Sequence, residues 1–377
     1  MDFGFSSEQQ DIRQLARQIL GEQVSAESLK AYDEYAAPRF DRALWRTLSE
    51  AGLVAVPVSE AEGGGGFGFM ELALLLEEVG RSIAPVPVLS HCVGGLMVLE
   101  RFAGSDLKQR LLRPALAGEL LLGAAVLEAG NEDPVNPLLT RAETSGDGLR
   151  LNGSKQAVAF ARQSDYLLVA ARHVDGVAVC FVDTRAPGVT LQDCQSTAFE
   201  PQAHVLLDNV EVAAEYVLEP SDGAAIMHWL GERLCAAHCA HQIGVADAAM
   251  RMAASYTSER QQFGVPVATF QAVGHRVADC YIDIECLRLA TYQACSLLHD
   301  ECEAGVETRI AKIWAGDTGH RVNYATQHVH GGMGIDRDYS LWRYSLWLRH
   351  NEMTLGGSSV HLAALGRSLA AGEGLFA

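Results

Sequence analysis

Positive charge is short in this sequence: 29 Lys and Arg stand against 47 Asp and Glu, leaving a net charge of −18. Such a balance argues against nucleic acid or an anionic membrane as the main partner, and leaves room only for a local basic pocket that takes a phosphorylated ligand. Long apolar runs are missing too. None approaches the length of a membrane span, and Met1-Asp2-Phe3-Gly4-Phe5 lacks the basic-then-apolar pattern of a secretory signal. The nine cysteines are odd in number and include no C-x-x-C pair, which fits reduced thiols in a cytosol better than a disulfide framework. No G-K-[ST] follows the run Gly63 to Gly66, so those glycines read as a flexible loop and not as a phosphate loop. The expectation is a soluble, cytoplasmic protein whose 377 residues allow two or three domains.

Proline is also absent between Pro220 and Pro266, and the chain is organised around that gap. Ala, Leu and Met dominate from Gly223 onward, so helix propensity is high despite Gly231 and Gly244. The stretch is apolar on most faces, which suits a helix buried among other helices. Pro220-Ser221-Asp222 should cap it. Two polar interruptions stand out, Glu232-Arg233 near its start and Ser258 to Gly264 at its close. At about 1.5 Å per residue, a straight helix would hold Glu232 and Arg260 roughly 40 Å apart. If both serve one small-molecule site, a neighbouring copy must bring them together.

Along the chain, residues 1 to about 118 read as helical. Ser6-Ser7-Glu8-Gln9 offers an N-cap, and Ile12, Leu15, Ala16, Ile19 and Leu20 recur at helical spacing. Further helices are expected from Phe40 to Gly52, Met70 to Val79 and Ser90 to Phe102. Between about Leu120 and Glu215 the period shortens. Runs at Leu121–Leu127, Leu149–Leu151, Tyr166–Ala171, Val177–Val182 and Val205–Val210 predict a small antiparallel β domain, with Asp147-Gly148 and Asn152-Gly153 as hairpin signals. Helices then run from Val267 to His299, Cys302 to His328 and Ser358 to Ala371. His228, Cys235, His238, Cys239 and His241 on the central helix read as core packing and not as a metal site. The stripe Trp342, Tyr344, Leu346 and Trp347 reads as a core or oligomer contact.

Two motifs carry a resemblance. Glu259-Arg260-Gln261-Gln262-Phe263-Gly264-Val265-Pro266-Val267, followed by Phe270-Gln271 and Ala278-Asp279, looks like the acyl-CoA dehydrogenase signature. His330-Gly331-Gly332-Met333-Gly334 after a long helix is similar to that family's second signature. The α-β-α order and the length agree, so the resemblance covers essentially the whole chain. It implies an α+β, mainly α fold: an N-terminal helical domain (1–118), a middle antiparallel β domain (119–220) and a C-terminal four-helix bundle (221–377). It also implies FAD, held across a subunit boundary by Arg260, Phe263, Gln271, His328, Gly331, Gly332 and Ser358. Physically, Arg260 at a helix end can chelate a pyrophosphate, although a helix C-terminus also favours a plain surface arginine. The two glycines let a backbone approach a flat or phosphorylated ligand, although alone they would be a helix stop.

The reaction so implied is α,β-dehydrogenation of an acyl-CoA, in which a carboxylate removes the α proton and the flavin takes the β hydrogen as hydride. The resemblance puts the usual base just before a Gly-Thr pair, and Leu355-Gly356-Gly357-Ser358 has Gly356 there. The base is therefore expected at Glu232, where a minority of the family carries it, with Arg233 near the CoA part and the Gly356 N–H near the thioester carbonyl. The plain alternative is a polar helix pair, Glu232 meeting His228. The middle domain departs further: Leu127-Glu128-Ala129-Gly130-Asn131-Glu132-Asp133 replaces Thr-Glu-Pro-x-Ala-Gly-Ser-Asp, and Ala157-Val158-Ala159 replaces Trp-x-Thr. A second reading follows: a subunit without a competent flavin pocket that completes the flavin site of a related chain. A third is another flavin reaction on this fold, such as oxygenation. Expected partners are an acyl-CoA, an electron-accepting protein, and further subunits, either copies (a dimer or tetramer) or a related chain.

Overall fold

Local chemistry sets the first helices. The Ser6 hydroxyl accepts the Gln9 N–H at 3.2 Å while the Gln9 side chain accepts the Ser6 N–H at 3.0 Å, a reciprocal cap that starts α1 (Ser7–Gln23) and buries Ile12, Ala16 and Leu20. Asp41 caps α2 (Arg42–Glu50) by accepting the N–H groups of Ala43 and Leu44, both at 3.0 Å. The glycine run is not a loose connection. Gly65 and Gly66 donate to the carbonyls of Ala55 and Val58 at 2.9 and 2.8 Å, and a Cβ on Gly64 would lie 2.1 Å from the Val58 oxygen. The chain then enters α3 (Phe69–Ser82). A later helical run is interrupted by a π-helical turn, Cys92–Leu96.

The structure is a computed structural model describing residues 4–34, 38–131, 133–218 and 223–372. The cap expected at Pro220-Ser221-Asp222 lies outside the described residues. Contacts divide the chain into two units, one of residues 1–28, 73–84 and 235–377, the other of residues 29–72 and 85–234.

The second unit contains the sheet: β1 (Leu122–Ala125), β2 (Arg141–Ser145), β3 (Gly148–Ala159), β4 (Tyr166–His173), β5 (Gly176–Asp183), β6 (Val189–Gln195) and β7 (Pro201–Val212). The order is β1-β4-β2-β3-β7-β6, with β5 on β4. Pairing is antiparallel apart from β1 beside β4 and one β2–β4 pair, Arg141 with Arg172. Strands β2 and β6 lack an apolar run because most of their side chains stay in solvent. Gly146-Asp147 turns the β2–β3 hairpin, with Ser145 opposite Gly148. Asn152-Gly153 does not turn the chain. It is an irregularity inside β3, where the register shifts between Leu151 and Gly153. Buried Glu128 ties the neighbouring loop down, accepting the N–H groups of Leu138, Leu139 and Thr140 and the Lys155 ammonium at 2.8 Å.

The central helix α4 (Gly223–Glu259) runs unbroken for 37 residues. It is followed by α5 (Gln271–His299), α6 (Gly305–His330), α7 (Leu341–Met353) and α8 (Ser358–Ala370). Cys239, Ile243, Leu287, Ala294, Ala311 and Ala315 form one apolar core of the first unit. The stripe Trp342 to Trp347 lies on α7, a helix that apolar periodicity did not single out, with both tryptophans buried. Lys312 is fully buried and donates to the carbonyls of Asn351 and Glu352 at 2.9 and 3.2 Å, capping the end of α7. Among the described residues, no helix is long and apolar enough to cross a membrane.

Candidate functional site

The expected residues fall in two places. The first is a turn of α4 in the second unit. Leu230 and Leu234 are buried there. The Glu232 carboxylate, 16% exposed, lies 3.3 Å from His228 Nε2 one turn back. Arg233, only 2% exposed, lays its guanidinium 3.9 Å from the Trp229 ring centroid and 6.0 Å from that of Phe69. Such stacking suits arginine because its charge is delocalised over a plane. Pro134 comes close to Gly231, where a Cβ would sit 3.9 Å from the Pro134 ring. Adjacent helix residues face different ways, so the carboxylate pairs with an imidazole and the guanidinium with aromatic faces.

The second place is in the first unit. After α4 the chain makes a two-residue hairpin, Gln261–Gln262 against Val265–Pro266. Its turn, Phe263-Gly264, has φ of +55° and +79°. A phenylalanine in the left-handed region costs about 1 kcal/mol or more, and here it presents a ring that is 94% exposed, edge-on to Phe270 at 6.2 Å. The Arg260 backbone closes the hairpin, its N–H donating to Tyr256 and its carbonyl accepting from Val267. Its guanidinium is exposed and meets no acceptor among the described residues. Gln271 follows, exposed, as the first residue of α5.

Tyr256 stacks on His330 at 4.5 Å, which brings the end of α4 to the end of α6. His330 donates from Nδ1 to the Thr326 carbonyl at 2.7 Å and accepts the Tyr339 hydroxyl at Nε2, 3.1 Å away. Burial pushes its pKa down. Next to it, a Cβ on Gly331 or Gly332 would meet nothing within 4 Å, so open space lies over both glycines. His328 is exposed and stacks on Tyr324 at 6.2 Å. Gln327 holds the corner by donating to the Gly334 carbonyl at 3.0 Å and the Ser345 hydroxyl at 2.7 Å.

Two expected contacts are already engaged. The Gly356 N–H, expected to meet a thioester, donates to the Met353 carbonyl at 3.2 Å. The Ser358 hydroxyl donates to the Ile313 carbonyl at 3.2 Å, packing α8 on α6. Neither could be read from sequence, because each partner is fixed by a turn or a distant helix. Among the described residues, no group of three His, Cys, Asp or Glu side chains is placed to hold a metal.

Three family models match: the acyl-CoA dehydrogenase N-terminal domain over residues 6–119, the middle domain over 128–210 and the C-terminal domain over 223–370. The chain belongs to the acyl-CoA dehydrogenase family, a family of FAD-dependent oxidoreductases. It is 35% identical to acyl-CoA dehydrogenase FadE27 of Mycobacterium tuberculosis, over 98% of this chain and 99% of that protein. Among solved structures it is similar to the ChsE4-ChsE5 complex from Mycobacterium tuberculosis (34% identity, TM-score 0.92, 98% and 99% of the two chains). It is also similar to the Tcur3481-Tcur3483 steroid ACAD G363A variant (36% identity, TM-score 0.90, 97% and 98%).

The residues fit FAD unevenly. Arg260, with unused N–H groups, and the open space over Gly331 and Gly332 suit a pyrophosphate and a flat ring system. The middle-domain positions do not: Leu127, Ala157 and Ala159 offer no hydroxyl or aromatic side chain, and the Ala157 N–H already donates to His204 Nδ1 at 3.3 Å.

Proposed function

We propose that this chain takes part in the α,β-dehydrogenation of an acyl-CoA thioester as one member of a heteromeric pair, completing a flavin site held mainly by a related chain. The observation that carries this reading is a contrast between two parts of the chain. The hairpin presents Arg260 and Phe263 outward with no internal partner for the guanidinium, while the middle domain has lost its donors and its aromatic shelf. Similarity to two structures named as two-component assemblies supports a related chain as the partner. One of the two is named as a steroid ACAD, which supports a steroid-like acyl group.

In this reading, Arg260 chelates the pyrophosphate, Phe263 covers the nucleotide, and the Gly331–Gly332 backbone allows close approach, with Gln271 and His328 at the rim. FAD, when bound, accepts the hydride. The α-proton base belongs to the partner, the working division of this chain lies near residues 118 and 220, and the assembly passes electrons to an acceptor protein in the cytoplasm.

A second reading keeps Glu232 as the base and Arg233 beside the CoA part. It is favoured by the shielding of the Glu232 side chain, which is only 16% exposed, because a carboxylate held away from water is a stronger base. Glu232→Gln in the co-purified assembly separates the two. With flavin counted by absorbance, unchanged turnover and one flavin per two chains are expected. A large loss of turnover with flavin retained would transfer the base to Glu232.

A further inference from the structure

The first unit contains a basic cleft that neither motif explains. It has a volume of about 950 Å³ and opens between α1, α3, the second half of α4, and α5. Five arginines line it, Arg13, Arg17, Arg81, Arg251 and Arg288, together with Asp247 and Glu285. Beneath lie Glu77 and Glu78, both closed to solvent. Glu77 accepts from Arg13 and Arg81 at 2.8 Å each, from Arg288 at 2.6 Å and from the Tyr292 hydroxyl at 2.5 Å. Glu78 accepts a fork from Arg17, 3.1 Å at Nε and 2.7 Å at Nη2. Asp247 takes Arg81 and, at 2.8 Å, the Nε of Arg251.

Both oxygens of Glu77 and of Glu78 are engaged, whereas two of the arginines keep N–H groups unused. Five guanidiniums against Glu77, Glu78, Asp247 and Glu285 leave one positive charge in excess, inside a chain whose net charge is −18. Arg251 uses only its Nε, so both of its Nη groups lack acceptors among the described residues, and Arg17 likewise keeps Nη1. These two side chains are the exposed ones of the set, 69% and 56%, and both border the opening. Tyr281 and Phe5, the latter edge-on to Tyr292 at 5.3 Å, supply ring surfaces.

We propose that this cleft binds a phosphorylated small molecule, with the phosphate held between the free edges of Arg17 and Arg251. Guanidinium edges match phosphate oxygens in pairs, and the carboxylates beneath hold the planes in place before a ligand arrives. The excess charge draws the dianion in. The inference does not depend on how the flavin is shared.

The test is calorimetric titration of the purified assembly with inorganic phosphate and with AMP at low salt, against chloride at matched ionic strength. Both phosphates should bind more tightly than about 1 mM, with AMP the tighter. Arg251→Gln should weaken binding by about tenfold or more. Gln14→Glu, which adds a carboxylate to the wall without touching any ion pair, should do the same and leave the melting temperature without ligand unchanged, whereas Arg251→Gln also takes an ion partner from buried Asp247 and should lower it. Binding no stronger than chloride, phosphate binding with AMP excluded, or affinities unchanged in both variants would overturn the proposal and leave the cluster as a clamp that fastens α1.

Discussion

His91 lies fully buried beside Trp45, and its two ring nitrogens are both committed. Nδ1 accepts the Leu122 N–H at 3.1 Å, which leaves Nε2 to donate to the Ala115 carbonyl at 3.1 Å. That pattern requires the neutral ring. Burial drives its pKa from 6.5 down to about 4, against the weaker pull of the Ala115 carbonyl. The unfolded chain therefore binds a proton that the folded chain refuses between these values, and stability must fall as pH drops from about 6.5 to about 4. The loss attributable to His91 approaches about 3 kcal/mol at the low end. Urea unfolding at pH 7, 6, 5 and 4 should show that decline. His91→Gln should flatten part of it, the remainder including His361, whose burial also brings it to about 4. Equal slopes in wild type and variant would remove His91 from the account.

At the scale of elements, what was legible in the sequence was what is local. The Ser6–Gln9 cap and the β2–β3 turn are each decided within about four residues; the cap formed where the residue types ask for it, and the turn fell at Gly146-Asp147, one residue before the expected Asp147-Gly148 pair. Asn152-Gly153 carried the same turn signal and became an irregularity in β3, because its neighbours are set by pairing with β7 and by the approach of Thr140. Strands β2 and β6 were illegible because neither buries a full face. Gly153 shows the tertiary demand directly: its φ is +141°, and a Cβ would lie 2.5 Å from the Thr140 Cα. Gly176 has a similar φ of +132° but open space around it. Gly176→Ala should therefore cost only the backbone strain, about 1 kcal/mol, and Gly153→Ala about 3 kcal/mol or more, since the obstacle is backbone. Chemical denaturation midpoints would check the difference. Equal losses would mean that the strand shifts to admit the methyl group.

At the scale of the whole molecule, the candidate site divides in the same way. Arg260, Phe263, Gln271 and the Gly331–Gly332 pair belong to contiguous motifs, and the structure gathers them at the ends of α4, α5 and α6 through the Tyr256–His330 stack. Gly356 and Ser358 were placed by motif position alone, and the structure gives their polar groups to Met353 and Ile313. An exposed, internally unused group can be removed without harm to the chain that carries it. Arg260 meets that description and Phe263 keeps only its edge contact with Phe270; a function in another subunit's cofactor site is what would retain such an arrangement, including a phenylalanine at positive φ. Arg260→Gln and Phe263→Ala should thus leave the melting temperature of the isolated chain within about 1 °C, in line with surface substitutions of under about 0.5 kcal/mol. The same variants, co-expressed with the related chain, should lower flavin per assembly by about tenfold at limiting FAD, because Arg260→Gln loses a charge-assisted pair of hydrogen bonds to a pyrophosphate and Phe263→Ala loses a ring surface over the nucleotide. Flavin content that survives both substitutions would mean that the hairpin reaches no cofactor, and the outward-facing ring would then belong to a protein contact.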